Sequence, residues 1–553
     1  MKRLLAIVLA LMMVLSLAAC GNSSGGTPAN DNANNGTNQG STQQDNSVVE
    51  QQAAQSDFVA EKIVYQTEDP VSLVPFGGSK GEGPGALMHS IYQTLGNRDK
   101  FGGEFKGILM EKWTEIDPRT YEVKLYENIY DTNHNQIDAN DVKFSIDSYK
   151  AQGEMSDVND IEGIEVIDQF TFRMILAAEE PALGTFELMC SYLNIVDEDS
   201  YKASPDGMAT TPVGSGPYKL EHFDTGAKAI TVINEDYWEP EEIRDLPVEM
   251  QNVKSVEYQV LSESSAISMA LQAKTVDFSN AVNSMDLPGF QTGGAYSNGI
   301  GVYTRPRNNA NVLCFNAAEE SPLHDENLRK AIMYAIDASF ISQAANGGNT
   351  EQCCVLGGPN YPDYQEKWWD YYPQPDMDKA KQYLAQSGYP NGVELNLLFI
   401  SGNSSIEDAA VILQSQLLPL NIKLNINGEV IGQYLADEHD PAGWDFTVCN
   451  FSGSDYITNV WRKYFDNTST GNGMTKNFVS DNQLQSLIEA CTSETGHTPE
   501  NIDAAWAYIM QNYWMYPMFV PNDNFVYNSN LISAFGFDCD GTVIPGGCTY
   551  VQS

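Results

Sequence analysis

The first twenty residues constrain this chain more than any other stretch, because they decide in which compartment it folds. Lys2 and Arg3 supply two cations, and the sequence is then apolar up to Leu17. A cationic start, a short apolar run and small residues together are typical of a secretory signal peptide. The apolar run is too short for a permanent membrane-spanning helix, which needs about 20 residues. We therefore predict that residues 1–19 are a signal peptide and that the remainder folds outside the cytoplasm.

A cysteine stands at the predicted cleavage point. The sequence Leu17-Ala18-Ala19-Cys20 resembles the lipobox of bacterial lipoproteins, in which the cysteine is acylated and becomes the new N-terminus. The alternative is an ordinary signal peptide followed by a chance cysteine. We expect lipidation because the thiol lies at the cleavage point itself. The resemblance implies an extracytoplasmic protein that a lipid anchors to the cell membrane.

Residues 20–56 are predicted to form a disordered tether. They consist mostly of Gly, Asn, Ser, Thr, Gln and Ala, with almost no large apolar residue before Val48. Such a segment buries too little apolar surface to offset the entropy of ordering it. The roughly 500 residues that follow suffice for two or more packed lobes. They contain no second apolar stretch of membrane-spanning length, so the chain is not predicted to be a channel or a permease.

The charge of the chain argues against two kinds of partner. Its formal net charge is −44, whereas nucleic acid and anionic lipid both require basic protein surface. A solvated acidic surface explains this charge most simply. The more specific alternative is that the negative surface attracts cationic solutes.

The cysteines and histidines give no sign of a metal site or of a catalytic site. Apart from Cys20, eight cysteines are scattered without zinc spacing, and the six histidines are isolated. Cys539 and Cys548 flank a C-terminal loop and are candidates for a local disulfide, with free buried thiols as the equal alternative. Gly77-Gly-Ser79-Lys-Gly81 matches G-x-S-x-G, but it lies in a Gly/Pro-rich loop rather than a strand-to-helix elbow. We predict no cofactor and no enzymatic activity, and a secreted hydrolase is the distant alternative.

Hydrophobic patterning predicts strands and helices in both halves of the chain. The first half is rich in strands, with two clear helices at 86–95 and 139–151. In the second half, a strand at 393–400, a helix at 404–417 and a strand at 422–426 form a βαβ unit, which implies parallel strands. Asp325 and Ser404 are predicted to cap helices, the latter in a capping box with Glu407.

Several short motifs occur in a fixed order along residues 58–530. They are Asp138-Ala-Asn-Asp141-Val-Lys-Phe-Ser145, Pro212-Val-Gly-Ser-Gly216-Pro-Tyr218, Asn234-Glu-Asp-Tyr237-Trp238, Leu328-Arg329-Lys-Ala331-Ile332 and Gly388-Tyr389-Pro-Asn-Gly392. Each resembles a signature of the family-5 solute-binding proteins, which are the peptide- and nickel-binding receptors of ABC importers. No single motif is specific, but their shared order makes the resemblance strong.

The resemblance implies an α/β, two-lobed periplasmic-binding-protein-like fold of type II, cluster C, with a hinge between the lobes. Lobe 1 is predicted to be 57–305 with a C-terminal return at 519–553, and lobe 2 to be 309–518. Such a receptor captures di- or oligopeptides between its closing lobes and delivers them to an ABC permease and its ATPase. An oligosaccharide-binding receptor of the same family is the main alternative, and few histidines make nickel less favoured.

Asp455 is the first candidate for contact with the ligand. It lies in the loop after a predicted strand at 444–451, and ligands of α/β sheets bind at the carboxyl ends of strands. In peptide-binding relatives, the acidic residue of this loop pairs with the peptide's ammonium group, and Asp455 matches it by position. The alternative is a solvated loop carboxylate.

The remaining candidates rest on weaker signals. Asp69 and Asn280 follow predicted strands, and three aromatic residues near Asp455 are candidates for lining a pocket: Trp444, Tyr456 and Trp461. The alternative for these aromatic residues is burial in the core, which is the more frequent outcome. Arg305 and Arg307, near the first lobe crossing, are candidates for binding a carboxylate, although surface charge at the hinge is the simpler interpretation.

One loop resembles the start of a calcium-binding loop. Asp131, Asn133 and Asn135 place oxygen ligands at alternating positions, as in an EF-hand. However, Gln136 stands where that loop needs glycine, and Val142 stands where it needs glutamate. We therefore favour a polar turn before a helix over a calcium site.

Overall fold

The computed structural model describes residues 56, 58–77, 82–153, 155–179, 181–450, 455–465, 479 and 481–552. The predicted signal peptide, Cys20, nearly all of the predicted tether and Ser79 lie outside these residues. Within them, no helix has both the length and the apolar character that a membrane span requires.

Lobe 1 contains one half of a large sheet and a separate antiparallel sheet. The central strand Ala60–Thr67 pairs in parallel with Val253–Val260 on one side and with Phe278–Ser279 on the other. Val253–Val260 is in turn antiparallel to Lys228–Ile233. The strands of this half-sheet are Tyr218–Asp224, Lys228–Ile233, Val253–Val260, Ala60–Thr67 and Phe278–Ser279, in spatial order. The four-stranded antiparallel sheet has the order Met110–Asp117, Thr120–Leu125, Thr171–Leu176 and Ile161–Asp168.

Short strand pairs and helices complete lobe 1. The pairs are Gln93–Thr94 with Asn194–Ile195, Gly96–Arg98 with Phe105–Gly107, and Ile532–Ala534 with Thr549–Tyr550. The helices are Glu82–Ile91, Ala139–Gln152, Thr185–Tyr192, Glu198–Ala203, Ser264–Gln272 and Leu287–Phe290.

Lobe 2 contains the other half of the large sheet. The predicted βαβ unit is confirmed, because Glu394–Ile400 pairs in parallel with Lys423–Glu429 across the helix Ser404–Leu417. The remaining strands are Asn311–Phe315, Thr350–Gln352 and Phe446–Cys449. The other helices are Glu326–Ala335, Ala338–Ala344, Met377–Gln386, Ile431–Asp437, Ile457–Phe465, Asn482–Thr492 and Pro499–Gln511.

A single long strand, Met515–Asn528, belongs to both half-sheets. Its first half pairs with Asn311–Phe315, and its second half pairs with Ile300–Pro306. The chain therefore passes between the lobes twice at adjacent places, once between Pro306 and Asn311 and once within the long strand. Because both passages run side by side, they form a natural hinge.

Each lobe has its own apolar core. One core is formed by residues between Ala310 and Val520, and the other by residues between Ala60 and Tyr303 together with residues from Phe525 to Tyr550. Two cores joined by a shared strand confirm the predicted fold class, an α/β, two-lobed binding-protein fold. The C-terminal residues return to lobe 1 and pack into its core.

Helix caps follow the sequence closely, with one correction. The Asp325 carboxylate accepts hydrogen bonds from the backbone N–H groups of Asn327 and Leu328, as predicted. The helix Ser404–Leu417, however, is capped by Asn403 rather than by Ser404. Glu407 accepts instead from the backbone N–H of Gly402, because the chain enters the helix one residue earlier than the motif suggested.

The cysteines pair differently from the local possibility raised by the sequence. Cys314 and Cys449 form a disulfide between the neighbouring strands Asn311–Phe315 and Phe446–Cys449. Cys539 and Cys548 are free and buried. The disulfide joins residues 135 positions apart, so that only the strand pairing brings them together.

Candidate functional site

A cavity of about 630 Å³ lies beside the hinge. Lobe 1 contributes Glu68, Phe101 and Tyr192 to its wall, and the two hinge passages contribute Arg305, Arg307 and Asp523 among others. The C-terminal return completes the wall with residues 540–542. Its size and its position beside the hinge are typical of a small-molecule site.

The structure places Asp455 between the lobes, next to Arg98 of lobe 1. Asp455 is 9% exposed, and its Oδ2 accepts a hydrogen bond of 3.0 Å from the Arg98 guanidinium. Within the described residues, Asp455 Oδ1 has no such partner. Arg98 also donates to the Gly103 carbonyl at 2.7 Å, which fixes the guanidinium on lobe 1. The pair therefore links the lobes and leaves one carboxylate oxygen available.

Two buried polar atoms near this ion pair have no hydrogen-bond partner among the described residues. They are Nε of Arg98 and the hydroxyl of Tyr361. Tyr361 is 3% exposed and packs edge-on against Phe101, a residue of the cavity wall, with ring centroids 4.8 Å apart. Buried polar groups are normally hydrogen-bonded, and unpaired ones in a cleft are candidates for ligand contact.

A second set of charges lies around Asp540, which lines the lobe 1 side of the cavity. The Tyr192 hydroxyl donates to Asp540, and His89 Nδ1 lies 2.9 Å from an oxygen of Asp538. Burial in this recess, and then repulsion from Asp538, raise the pKa of Asp540 to about 6. Burial by itself would lower the pKa of His89, but the hydrogen bond with Asp538 raises it overall. Two carboxyl groups, those of Asp538 and Asp540, therefore lie close together on this side of the cavity.

Ionisation of Asp540 is expected to destabilise the folded protein. The pKa rises from the usual 3.8 to about 6 on folding, so the folded state holds this proton more tightly than the unfolded chain. The stability that this group contributes is therefore present below about pH 4 and is lost as the pH rises through 6. Asp540→Asn, which can still accept from Tyr192, should raise the melting temperature at pH 7 relative to wild type but not at pH 4.

Thermal melts between pH 4 and pH 7 test this expectation. Glu241→Gln, at an exposed position outside the cavity, is the matched control and should follow wild type. If the melting temperatures of wild type and Asp540→Asn changed equally between pH 4 and pH 7, the expectation would be wrong.

The two hinge arginines are held by neighbouring groups. Arg305 lies between two rings, with its guanidinium carbon 5.0 Å from the Phe525 centroid and 4.3 Å from the Phe537 centroid. Arg307 Nε is 2.6 Å from a carboxylate oxygen of Asp523, and both residues line the cavity. Cation–π contacts and an ion pair thus orient both guanidinium groups at the cavity wall.

Three other predicted site residues lie in three different places. Asn280 lines the hinge cavity. Asp69 instead closes a turn, because its Oδ1 accepts from the backbone N–H groups of Val71 and Gly226, at 3.0 and 3.1 Å. Tyr456 packs over Gly184 of the opposite lobe and lies edge-on to His497.

The predicted pocket role of two tryptophans is corrected. Trp444 is 1% exposed, and its Nε1 donates to the Glu438 carbonyl. Trp461 is fully buried and stacks on Trp506 with centroids 5.1 Å apart. Both are core residues, because their large apolar rings gain more from burial inside lobe 2 than from partial exposure in a cleft.

The calcium-like loop is closed by its own hydrogen bonds. Asp131 Oδ1 accepts from the backbone N–H groups of Asn133 and Asn135, and Oδ2 accepts from the Ser200 hydroxyl. The carboxylate oxygens that a cation would use are thus engaged in a turn. Across the described part of the chain, no group of three or more His, Cys, Asp and Glu side chains could hold a metal ion.

The lobes also touch away from the hinge. The backbone N–H of Leu183 donates to the Thr492 carbonyl at 3.1 Å, and Asn459 donates to the Leu183 carbonyl at 2.8 Å. With the Arg98–Asp455 pair, these contacts enclose the cleft.

The sequence profile of the bacterial extracellular solute-binding proteins, "family 5 Middle", matches residues 104–471 of this chain. The chain belongs to this family. Curated relatives of the chain are named as binding proteins. Heme-binding protein A of Haemophilus influenzae is 23% identical over 273 residues, covering 48% of this chain and 47% of that protein. Glutathione-binding protein GsiB of Escherichia coli K12 is 24% identical over 360 residues, covering 64% and 66%.

The chain thus spans about half to two thirds of the length of these curated relatives. Solved structures share its fold over a larger part of the chain. HbpA2 from Haemophilus parasuis superposes with a TM-score of 0.75 at 16% identity, covering 89% of this chain and all of that one. The oligopeptide-binding protein AppA from Bacillus subtilis, solved with a nonapeptide, gives a TM-score of 0.68 at 17% identity over 90% of this chain and all of that one.

Several residues of this family-5 cleft were not predicted from the sequence. Arg98, Tyr192, Tyr361 and Asp540 lie far from Asp455 along the chain and come close only through the lobe contact and the C-terminal return. One available signal was the scarcity of cations: the chain has 30 Lys and Arg against 74 Asp and Glu. In such a background, an arginine between buried strand residues is a candidate partner for a carboxylate.

Proposed function

We propose that this protein is the lipid-anchored extracytoplasmic receptor of an ABC importer and that it captures peptides between its two lobes. It hands the peptide to a membrane permease, which a separate ATPase drives. Cys20 anchors the receptor by lipid, and the segment up to residue 56 is the tether that gives it reach.

The observation that carries the peptide assignment is the placement of opposite charges around one cleft. Asp455 offers Oδ1 for an ammonium group, while Arg305 and Arg307 line the adjoining cavity with guanidinium groups for a carboxylate. A peptide carries both groups on a backbone of amides. Its amides would hydrogen-bond to groups such as the Tyr361 hydroxyl and Arg98 Nε, in the extended form that a cleft accommodates.

Proteins of the same fold that were solved with peptides support this choice. AppA of Bacillus subtilis was solved with a nonapeptide, and DppA of Helicobacter pylori was solved with the peptide STSA. GsiB is named for glutathione, which is itself a peptide. We therefore propose peptides ahead of oligosaccharides.

Thermal stability in the presence of candidate ligands tests the proposal. Ligand that binds only the folded protein stabilises it by about 2.7 kcal/mol at a hundredfold excess over Kd. We expect pooled peptides of two to nine residues to raise the melting temperature and pooled oligosaccharides to leave it unchanged. A response to oligosaccharides alone would replace the peptide assignment with a sugar assignment. No response to either pool, or hydrolysis of a peptide, would contradict the proposal.

A further inference from the structure

A second cavity lies at the lobe contact, away from the hinge. Its volume is about 500 Å³. One side is formed by the four-stranded sheet of lobe 1 and by residues 181–187, and the other by residues 493–495 of lobe 2. The cavity is therefore complete only when the two lobes are together.

Three aromatic rings line this cavity. Tyr121 and Phe186 are stacked, with centroids 4.0 Å apart and planes inclined by 10°. Trp113 lies beside them and keeps 37% of its surface exposed, which is unusual for so large an apolar side chain in a folded lobe. Aromatic faces carry negative electrostatic potential and attract cations.

Three carboxylates accompany the rings. Glu115, Glu187 and Glu494 all line the cavity, and none forms an ion pair with any residue that the structure describes. Burial and then the charges of these three glutamates raise the pKa of Tyr121, which shows that they act on the same space. Burial also raises the pKa of Glu187, because nearby Arg98 offsets only part of the lost hydration.

The cavity adjoins the Arg98–Asp455 pair. The charges of both residues act on Glu187. Gly184 of the cavity wall supports the ring of Tyr456, the residue after Asp455, and a Cβ at Gly184 would lie 3.0 Å from that ring. A ligand bound at Asp455 is therefore close enough to extend one side chain toward the cavity.

We propose that this aromatic and acidic cavity binds a cationic side chain of the ligand, a guanidinium or an alkylammonium group. The inference rests on the proposed peptide-binding function and adds a preference for basic peptides. The rings attract a cation through cation–π contacts. The three carboxylates, which have no cationic partner among the described residues, supply the opposite charge. These three glutamates are then a part of the negative charge of the chain that binds ligand.

Calorimetric titration with matched peptides tests this inference. The probes are alanine pentapeptides with arginine at one of the five positions, each paired with the peptide that carries neutral citrulline there. At one or more positions, wild type should bind the arginine peptide at least tenfold more tightly. Glu187→Gln and the double variant Glu115→Gln/Glu494→Gln should reduce that ratio toward one while they bind the citrulline peptides as wild type does.

The control variant is Glu489→Gln, an exposed carboxylate on the helix that leads into the lobe 2 side of the cavity. It should keep the wild-type ratio. Equal affinity of wild type for arginine and citrulline peptides at all five positions would overturn the inference alone. Failure of every peptide to bind would overturn the proposed function and this inference with it.

Discussion

Replacing Asp455 with alanine is expected to weaken the binding of a free-amine peptide by at least two orders of magnitude. The carboxylate is 9% exposed between the lobes, with Oδ1 available and Oδ2 on Arg98. An ammonium group enclosed there would lose its counter-charge, and breaking a buried pair costs about 3–5 kcal/mol. Each 1.4 kcal/mol is about tenfold in affinity. Titration calorimetry with wild type and variant measures the effect.

The loss of Asp455 also leaves Arg98 without its ion pair, so a second variant is needed. In Asp455→Ala/Arg98→Met, no unpaired guanidinium remains in the cleft. If the ammonium anchor explains the effect, binding stays weak in this double variant; if the stranded Arg98 explains it, binding recovers. An N-acetylated peptide is the matched ligand. Wild type should bind it as poorly as Asp455→Ala binds the free amine, and equal wild-type affinity for both peptides would exclude the anchor.

Replacing Cys20 with alanine is expected to move the protein from the membrane fraction to the soluble extracytoplasmic fraction. Each buried methylene of an acyl chain contributes about 0.8 kcal/mol to membrane binding, and stable anchoring needs more than one chain. The net charge of −44 offers no electrostatic attraction to anionic lipid that would compensate. The variant should therefore lose nearly all membrane association.

Cell fractionation followed by immunoblotting measures this redistribution. Ser23→Ala, three residues further along, is the control and should stay with the membrane as wild type does. Membrane retention of Cys20→Ala at the wild-type level would contradict lipid anchoring at this residue.

Local features of the fold were predictable because their signals are local. Asp325 caps its helix through its own side chain, as the sequence around it predicts. The βαβ unit follows from periodicity within about 35 residues. These patterns needed no knowledge of the remaining chain.

The composition of the cleft could not be predicted in the same way. Arg98 meets Asp455 across 357 positions, and Tyr192 meets Asp540 across 348. Only the docking of the lobes and the C-terminal return create these pairs. Trp461 is the reverse case: it lies close to Asp455 in sequence, but its ring is buried in the core of lobe 2 and not in the cleft. Proximity along the chain suggested a pocket residue, whereas the helix that carries Trp461 directs it inward.

Mass spectrometry of the molecules released from natively purified protein identifies the natural ligand and so tests whether it is a peptide. Protein isolated from its own cells without added ligand is washed, denatured and extracted, and Asp455→Ala purified in parallel gives the background. We expect short peptides, enriched in basic residues, that are present with wild type and depleted with the variant. Recovery of oligosaccharides or heme at stoichiometric amounts, equally from both proteins, would contradict it.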